Sequence, residues 1–172
     1  MSTRAPAQAN KPASPEIPCG PAVTLYRRFQ QASASLQSPF LLFVRLYWGW
    51  QFAQSGWGRL HNLGRATDFF ASLGLPAPHA TVVFISLLEL VGGILLIAGL
   101  GTRLTGLFLA GDMIGAYLLS DRDALAAIIT NPGKFYGADP YTFLFASVIL
   151  LAFGPGRFSI DYLFFRRRGG GC

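Results

Sequence analysis

Three ionisable side chains, Arg45, Glu89 and Asp112, stand in runs of mostly apolar residues. The runs are FLLFVRLYWGWQFAQSGW at 40–57, TVVFISLLELVGGILLIAGL at 81–100 and RLTGLFLAGDMIGAYLLS at 103–120. A charge inside hydrocarbon costs ~2.5 kcal/mol or more unless it is paired, protonated or faces water. Two acids and a guanidinium at comparable depth are the makings of a proton-bearing site. Glu89 and Asp112 would exchange protons in a catalytic role, while Arg45 would bind the substrate by fixing an anionic oxygen of a redox molecule such as a quinone. The same residues also make an interhelical clamp, with one acid protonated so that the cluster is neutral. Counting helical rise puts Arg45 ~9 Å from the cytoplasmic end of its run and the acids ~15 to 17 Å from theirs. The expectation is that one extended arginine bridges both acids.

The elements that must hold these groups follow from length. At ~1.5 Å per residue, about twenty apolar residues cross a ~30 Å hydrocarbon layer, and residues 81–100 meet that requirement. The expected fold is all-α, an integral membrane four-helix bundle with a disordered N-terminal tail. Span 1 starts at Pro39, span 2 covers 81–100, span 3 covers 103–120, and a short span 4 runs from Pro140 to Gly154. Residues 1–38, rich in Pro, Ala, Ser and Gln, form the disordered cytoplasmic tail, 39–161 the membrane domain and 162–172 a basic cytoplasmic tail. No leader pattern opens the chain, so span 1 itself directs insertion.

Composition agrees with lipid as the solvent. Of 172 residues, 52% are hydrophobic and 13% charged, too few charges to cover a soluble surface. The net charge of +6 gathers towards the chain ends as topology signals do, which argues against nucleic acid. Cys19 and Cys172 make no CxxC or ligand cluster. His61 and His79 read as solvated loop histidines, so no metal is expected. Placing both termini and the span 2–3 turn inside puts Arg4, Lys11, Arg27, Arg28, Arg103, Arg157 and Arg166 to Arg168 there, against Arg59, Arg65, Arg122 and Lys134 outside.

Local signals refine the picture. On span 1, Leu41, Leu42, Arg45, Trp48, Gly49, Phe52 and Gly56 share a face, and on span 2 Ile85, Ser86, Glu89, Gly92, Gly93 and Leu96 do. Small residues around Glu89 invite a neighbouring helix and hold the carboxylate inside. On span 3 the inward face is read as Thr105, Phe108, Leu109, Gly115, Ala116 and Leu119, with Gly111 and Gly115 as a GxxxG pair. Thr67, Thr102 and Asp139 are expected helix caps. The loops at 58–80 and 121–138 are expected outside, each with a short interfacial helix or turn.

The runs RLYWGWQFAQSGWGRL at 45–60, LGLP at 73–76, ELVGGILLIAGLGTR at 89–103 and GPGRFSID at 154–161 resemble the DoxX family of small bacterial membrane proteins. The resemblance covers residues 40–161 and implies a four-helix bundle in the cytoplasmic membrane, related to the DoxD subunit of thiosulfate:quinone oxidoreductase. Carried over by position, it marks Arg45, Gly49, Glu89, Gly92, Gly93, Arg103 and Asp161, the glycines, Arg103 and Asp161 in structural roles. Where the family commonly has lysine in a G-x-x-K-L block, Arg59 keeps the charge without a titrating amine, and it joins Arg45 as a substrate-binding candidate.

Two functions compete. In one, the chain is a membrane subunit of a quinone-linked oxidoreductase or oxidative-stress system, with a quinone as candidate ligand and electrons passing through a membrane or soluble redox partner. The sequence has no paired haem-ligand histidines and no dinucleotide fingerprint. In the other it is a non-enzymatic membrane adaptor or assembly factor whose charges are structural. Lipid is a partner in either case, and a homo-oligomer is compatible with both.

Overall fold

In the computed structural model the described residues are 21–163, and they are helical apart from turns and loops. Among the described residues seven helices are delimited, α1 Pro21–His61, α2 Leu63–Ser72, α3 Pro78–Ala98, α4 Thr102–Leu119, α5 Arg122–Ala126, α6 Pro132–Tyr136 and α7 Pro140–Phe153, and residues 160–163 are again helical. The chain divides into two compact units, 1–34 and 35–172, the second holding the helix bundle.

The four long helices share one core. Leu41, Val44 and Phe52 of α1, Leu96 of α3, Leu109 and Met113 of α4, and Ala146 and Leu150 of α7 form a buried cluster. Phe143 locks it, meeting Phe52 edge to face at 4.8 Å and Trp48 at 5.3 Å between ring centres. Large apolar side chains also face outward: Phe43, Trp50, Phe84, Val91, Ile94, Leu104, Phe108 and Phe145 are exposed, while Arg45, Glu89, Ser86 and Ser147 are buried. By length and composition, α3 is the one described helix able to cross a bilayer, and α7 is a shorter apolar helix.

Glycines set the helix spacing. A Cβ on Gly49 would lie 2.8 Å from the Gly93 carbonyl, and one on Gly93 would lie 2.5 Å from the Gly49 carbonyl. Gly56 likewise meets the backbone of Ser86 and Leu90. As numbers rise along α1 they fall along α3, so the two helices run antiparallel with backbones touching. The expected GxxxG pair does not act this way, because a Cβ on Gly111 or Gly115 would meet nothing. Gly106 instead lets α4 approach Ser147 and Leu151 of α7. The face of α4 is accordingly rotated from the one expected: Thr105 and Leu109 are buried with Gly106, Ala110, Met113 and Tyr117, while Phe108 is exposed.

Other boundaries also moved. Helix α1 begins at Pro21, not at Pro39, so residues 21–38 of the expected disordered tail are helical, and residues 1–20 lie outside the described ones. The segment VTLYRRFQQASASLQ is rich in Leu, Arg, Gln and Ala, residues whose helical cost is small, which lets the helix extend N-terminal to Pro39. Pro39 lies inside α1 rather than in a first turn. Helix α2 starts before Thr67, which sits mid-helix. Asp139 is at the N-cap of α7 but makes no side-chain cap hydrogen bond there. Thr102 is the first residue of α4 and does not cap it; Asp161 supplies that cap, its two carboxylate oxygens accepting from the amides of Gly101 at 2.8 Å and Thr102 at 3.1 Å.

Candidate functional site

Glu89 is drawn inward by the packing of α3, whose buried face is Val82, Ser86, Glu89, Gly92, Gly93 and Leu96. Its partner is Arg59, with Nη1 donating to Oε2 at 2.5 Å. The pair is lopsided: the Glu89 side chain is 2% exposed and that of Arg59 33%. Asp112 of α4 completes the group through a side-chain hydrogen bond with Glu89, so the two carboxyls share a proton, while its buried Oδ2 has no partner of its own among the described residues.

Arg45 does not bridge the acids. Its guanidinium donates to four backbone carbonyls: Leu96 at 2.9 Å, Ile97 at 3.0 Å, and Pro155 and Phe158 at 2.8 Å each. It lies under Gly99, which ends α3 at φ +70°, and a Cβ on Gly99 would collide with it. The physical reason is side-chain direction. In a helix each Cα–Cβ bond leans towards the N-terminus. On α1 that lean carries Arg45 towards the C-terminal end of the antiparallel α3, away from Glu89. The same lean carries Arg59 back down α1 towards Glu89. Arg45 therefore ties carbonyls left over at the end of α3 to the loop after α7. It is not among the residues lining the cavity described next.

The Arg59, Glu89 and Asp112 group lines a cavity of about 650 Å³ between α1, α2, α3 and α4 and the start of α7. Phe69 and Phe70 of α2, Leu73 just after it, Ile85 of α3 and Met113 of α4 form its apolar walls; Gln54, Ser55, Asn62 and Arg65 add polar ones. A second cavity, of about 510 Å³, is lined from the other side by Tyr136, Gly137, Thr142 and Phe143. Both cavities include Ser55, Arg59, Glu89 and Asp139, so the ion pair stands where they meet.

Of the expected site residues, Glu89, Asp112 and Arg59 come together, and Arg45 stands apart. Gly49 and Gly93 pack α1 on α3, Gly92 receives Leu109 of α4, and Asp161 caps α4. Arg103 lies against Gly154 at the end of α7. Gln54, Asn62, Arg65 and the α2 aromatics escaped sequence reasoning as cavity residues. The amphipathic pattern of LGRATDFFAS was the available signal, since a short helix with adjacent Phe must cover something.

The DoxX family model matches residues 40–122. A Bacillus subtilis protein named "Putative oxidoreductase CatD" is 30% identical over 130 residues, covering 76% of this chain and 90% of that one. The chain belongs to the DoxX family. A second relative, "Uncharacterized membrane protein Rv3486" of Mycobacterium tuberculosis, is 32% identical over 103 residues, 54% of this chain and 60% of that protein. No solved structure matches the chain. Its DoxX membership supports a membrane protein, in keeping with the apolar exterior and charged interior of the bundle.

Proposed function

We propose that this DoxX protein is a membrane subunit of a redox system that binds a quinone-type molecule in the cavity beside Arg59, Glu89 and Asp112. The observation that carries the reading is the buried Glu89 carboxylate, held by a partly exposed Arg59 next to an unpartnered oxygen of Asp112, on the wall of a largely apolar cavity. Phe69, Phe70, Leu73, Ile85 and Met113 suit a flat apolar ring. Arg59 orients an oxygen at the ring edge through its fork of donors, and the two acids hold and release protons beside it. When bound, a quinone supplies the electron chemistry, with a partner oxidoreductase as the source of the electrons; the name of the Bacillus relative supports a redox role and no particular partner. α1, α3, α4 and α7 cross the cytoplasmic membrane with both termini inside. Lipid covers the outward Phe43, Phe84, Ile94, Leu104 and Phe145.

The test is organic extraction of the protein purified in mild detergent, followed by mass spectrometry and by titration with a short-tailed ubiquinone. A bound ring compound, and a saturable quenching of tryptophan that Arg59→Leu weakens at least tenfold, is the expected result. An empty protein that does not respond to quinone, but retains a helical client, would instead establish the adaptor reading.

A further inference from the structure

We infer that ligand binding in this cavity is coupled to proton uptake because an anionic ligand oxygen and the Glu89 carboxylate compete for the same guanidinium. The inference rests on the proposed binding reading and names the substrate class: a flat apolar molecule carrying one anionic oxygen, such as a hydroxyquinone or a quinol anion.

Glu89 is buried and its cationic partner is Arg59, whose side chain is a third exposed towards the cavities. An anion entering there reaches the guanidinium from its open side, and the carboxylate it displaces stays buried in the helix interface. A buried carboxylate left without its cation is strongly disfavoured, and the least costly remedy is a proton. Charge counting gives the same result. Exchanging one anion for another on Arg59 while Glu89 takes one proton leaves the cavity's charge unchanged. The other charged groups facing the cavity are Asp112 from α4, Arg65 from α2, Asp121 before α5 and Asp139 before α7. Asp112 shares a side-chain hydrogen bond with Glu89 and is the rival site for the incoming proton.

The overlapping second cavity offers the proton a more polar approach. The second cavity reaches the same ion pair through Tyr136, Thr142 and Asp139, and its surroundings are more polar than the walls of the first. Asp139 spends none of its side-chain oxygens on capping α7, and it borders both cavities.

The experiment is calorimetric titration of the full chain in detergent with 2-hydroxy-1,4-naphthoquinone, in buffers of different ionisation enthalpy and across pH. The expected result is about one proton taken up per ligand, with Kd weakening as pH rises while the probe stays anionic. Asp112→Asn keeps the uptake and Glu89→Gln abolishes it while still binding the probe. Binding without proton uptake overturns the coupling and leaves the binding reading intact. Uptake lost in Asp112→Asn but kept in Glu89→Gln overturns the assignment to Glu89. No binding to a folded protein, checked by its helical circular dichroism, removes both.

Discussion

Replacing Gly93 by alanine should damage the protein, and the same change at Gly111 should help it. The two glycines look alike in sequence, each mid-helix in an apolar run. A methyl on Gly93 would lie 2.5 Å from the Gly49 carbonyl oxygen and 2.6 Å from the Ala53 amide nitrogen, where ordinary contact begins at 3.4 Å. Backbone cannot swing aside as a side chain can, so α1 and α3 must part by roughly 0.9 Å along that direction, the shortfall from ordinary contact. Overpacking of this kind costs ~1–3 kcal/mol, occasionally more, against a gain of up to ~1 kcal/mol from alanine's better helix propensity. The net loss expected for Gly93→Ala is about 1–2 kcal/mol. At Gly111 a methyl meets nothing, and Gly111→Ala gains ~0.5–1 kcal/mol. Reversible unfolding of the full chain in mixed micelles, followed by far-ultraviolet circular dichroism, ranks the three proteins. If Gly93→Ala is as stable as Gly111→Ala, the backbone contact between α1 and α3 does not exist as described.

Two further outcomes follow from the charges. In a double-mutant cycle on unfolding free energy, Glu89→Leu and Arg59→Leu should couple by ~1–3 kcal/mol, since each single change strands a charge beside Asp112, whereas Glu89→Leu and Arg45→Leu should add within ~0.5 kcal/mol. Coupling of Glu89 to Arg45 instead would restore the bridge that the geometry denies. Asp161→Ala should cost ~1–2 kcal/mol and raise hydrogen exchange at the amides of Gly101 and Thr102, which lose their acceptor. Unchanged exchange at those two amides would contradict the cap.

Much of the fold is legible along the chain because helix faces are periodic. The inward stripe of α3, with Ser86, Glu89, Gly92, Gly93 and Leu96, follows from spacing alone, as does the start of α7 at Pro140. The break between α3 and α4 is legible for the same local reason: Gly99 and Gly101 take positive φ where no side chain competes. What failed was the reading of single-residue signals that several elements compete to answer. Thr102 and Asp139 have the right chemistry for caps, yet the α4 cap comes from Asp161, far along the chain.

The sequence by itself determined which groups must be sheltered. An apolar run with one carboxylate requires a partner for Glu89 whatever the arrangement of helices, because an unpaired charge in an apolar interior is too costly to keep. Tertiary structure alone decided which cation answers. Arg45 and Arg59 lie on the same helix and both carry a guanidinium. The antiparallel contact through Gly49, Gly56 and Gly93 and the N-terminal lean of side chains send one to the carbonyls ending α3 and the other to Glu89. Depth counted along separate helices holds no record of direction, so the choice between them appears only once the two backbones touch.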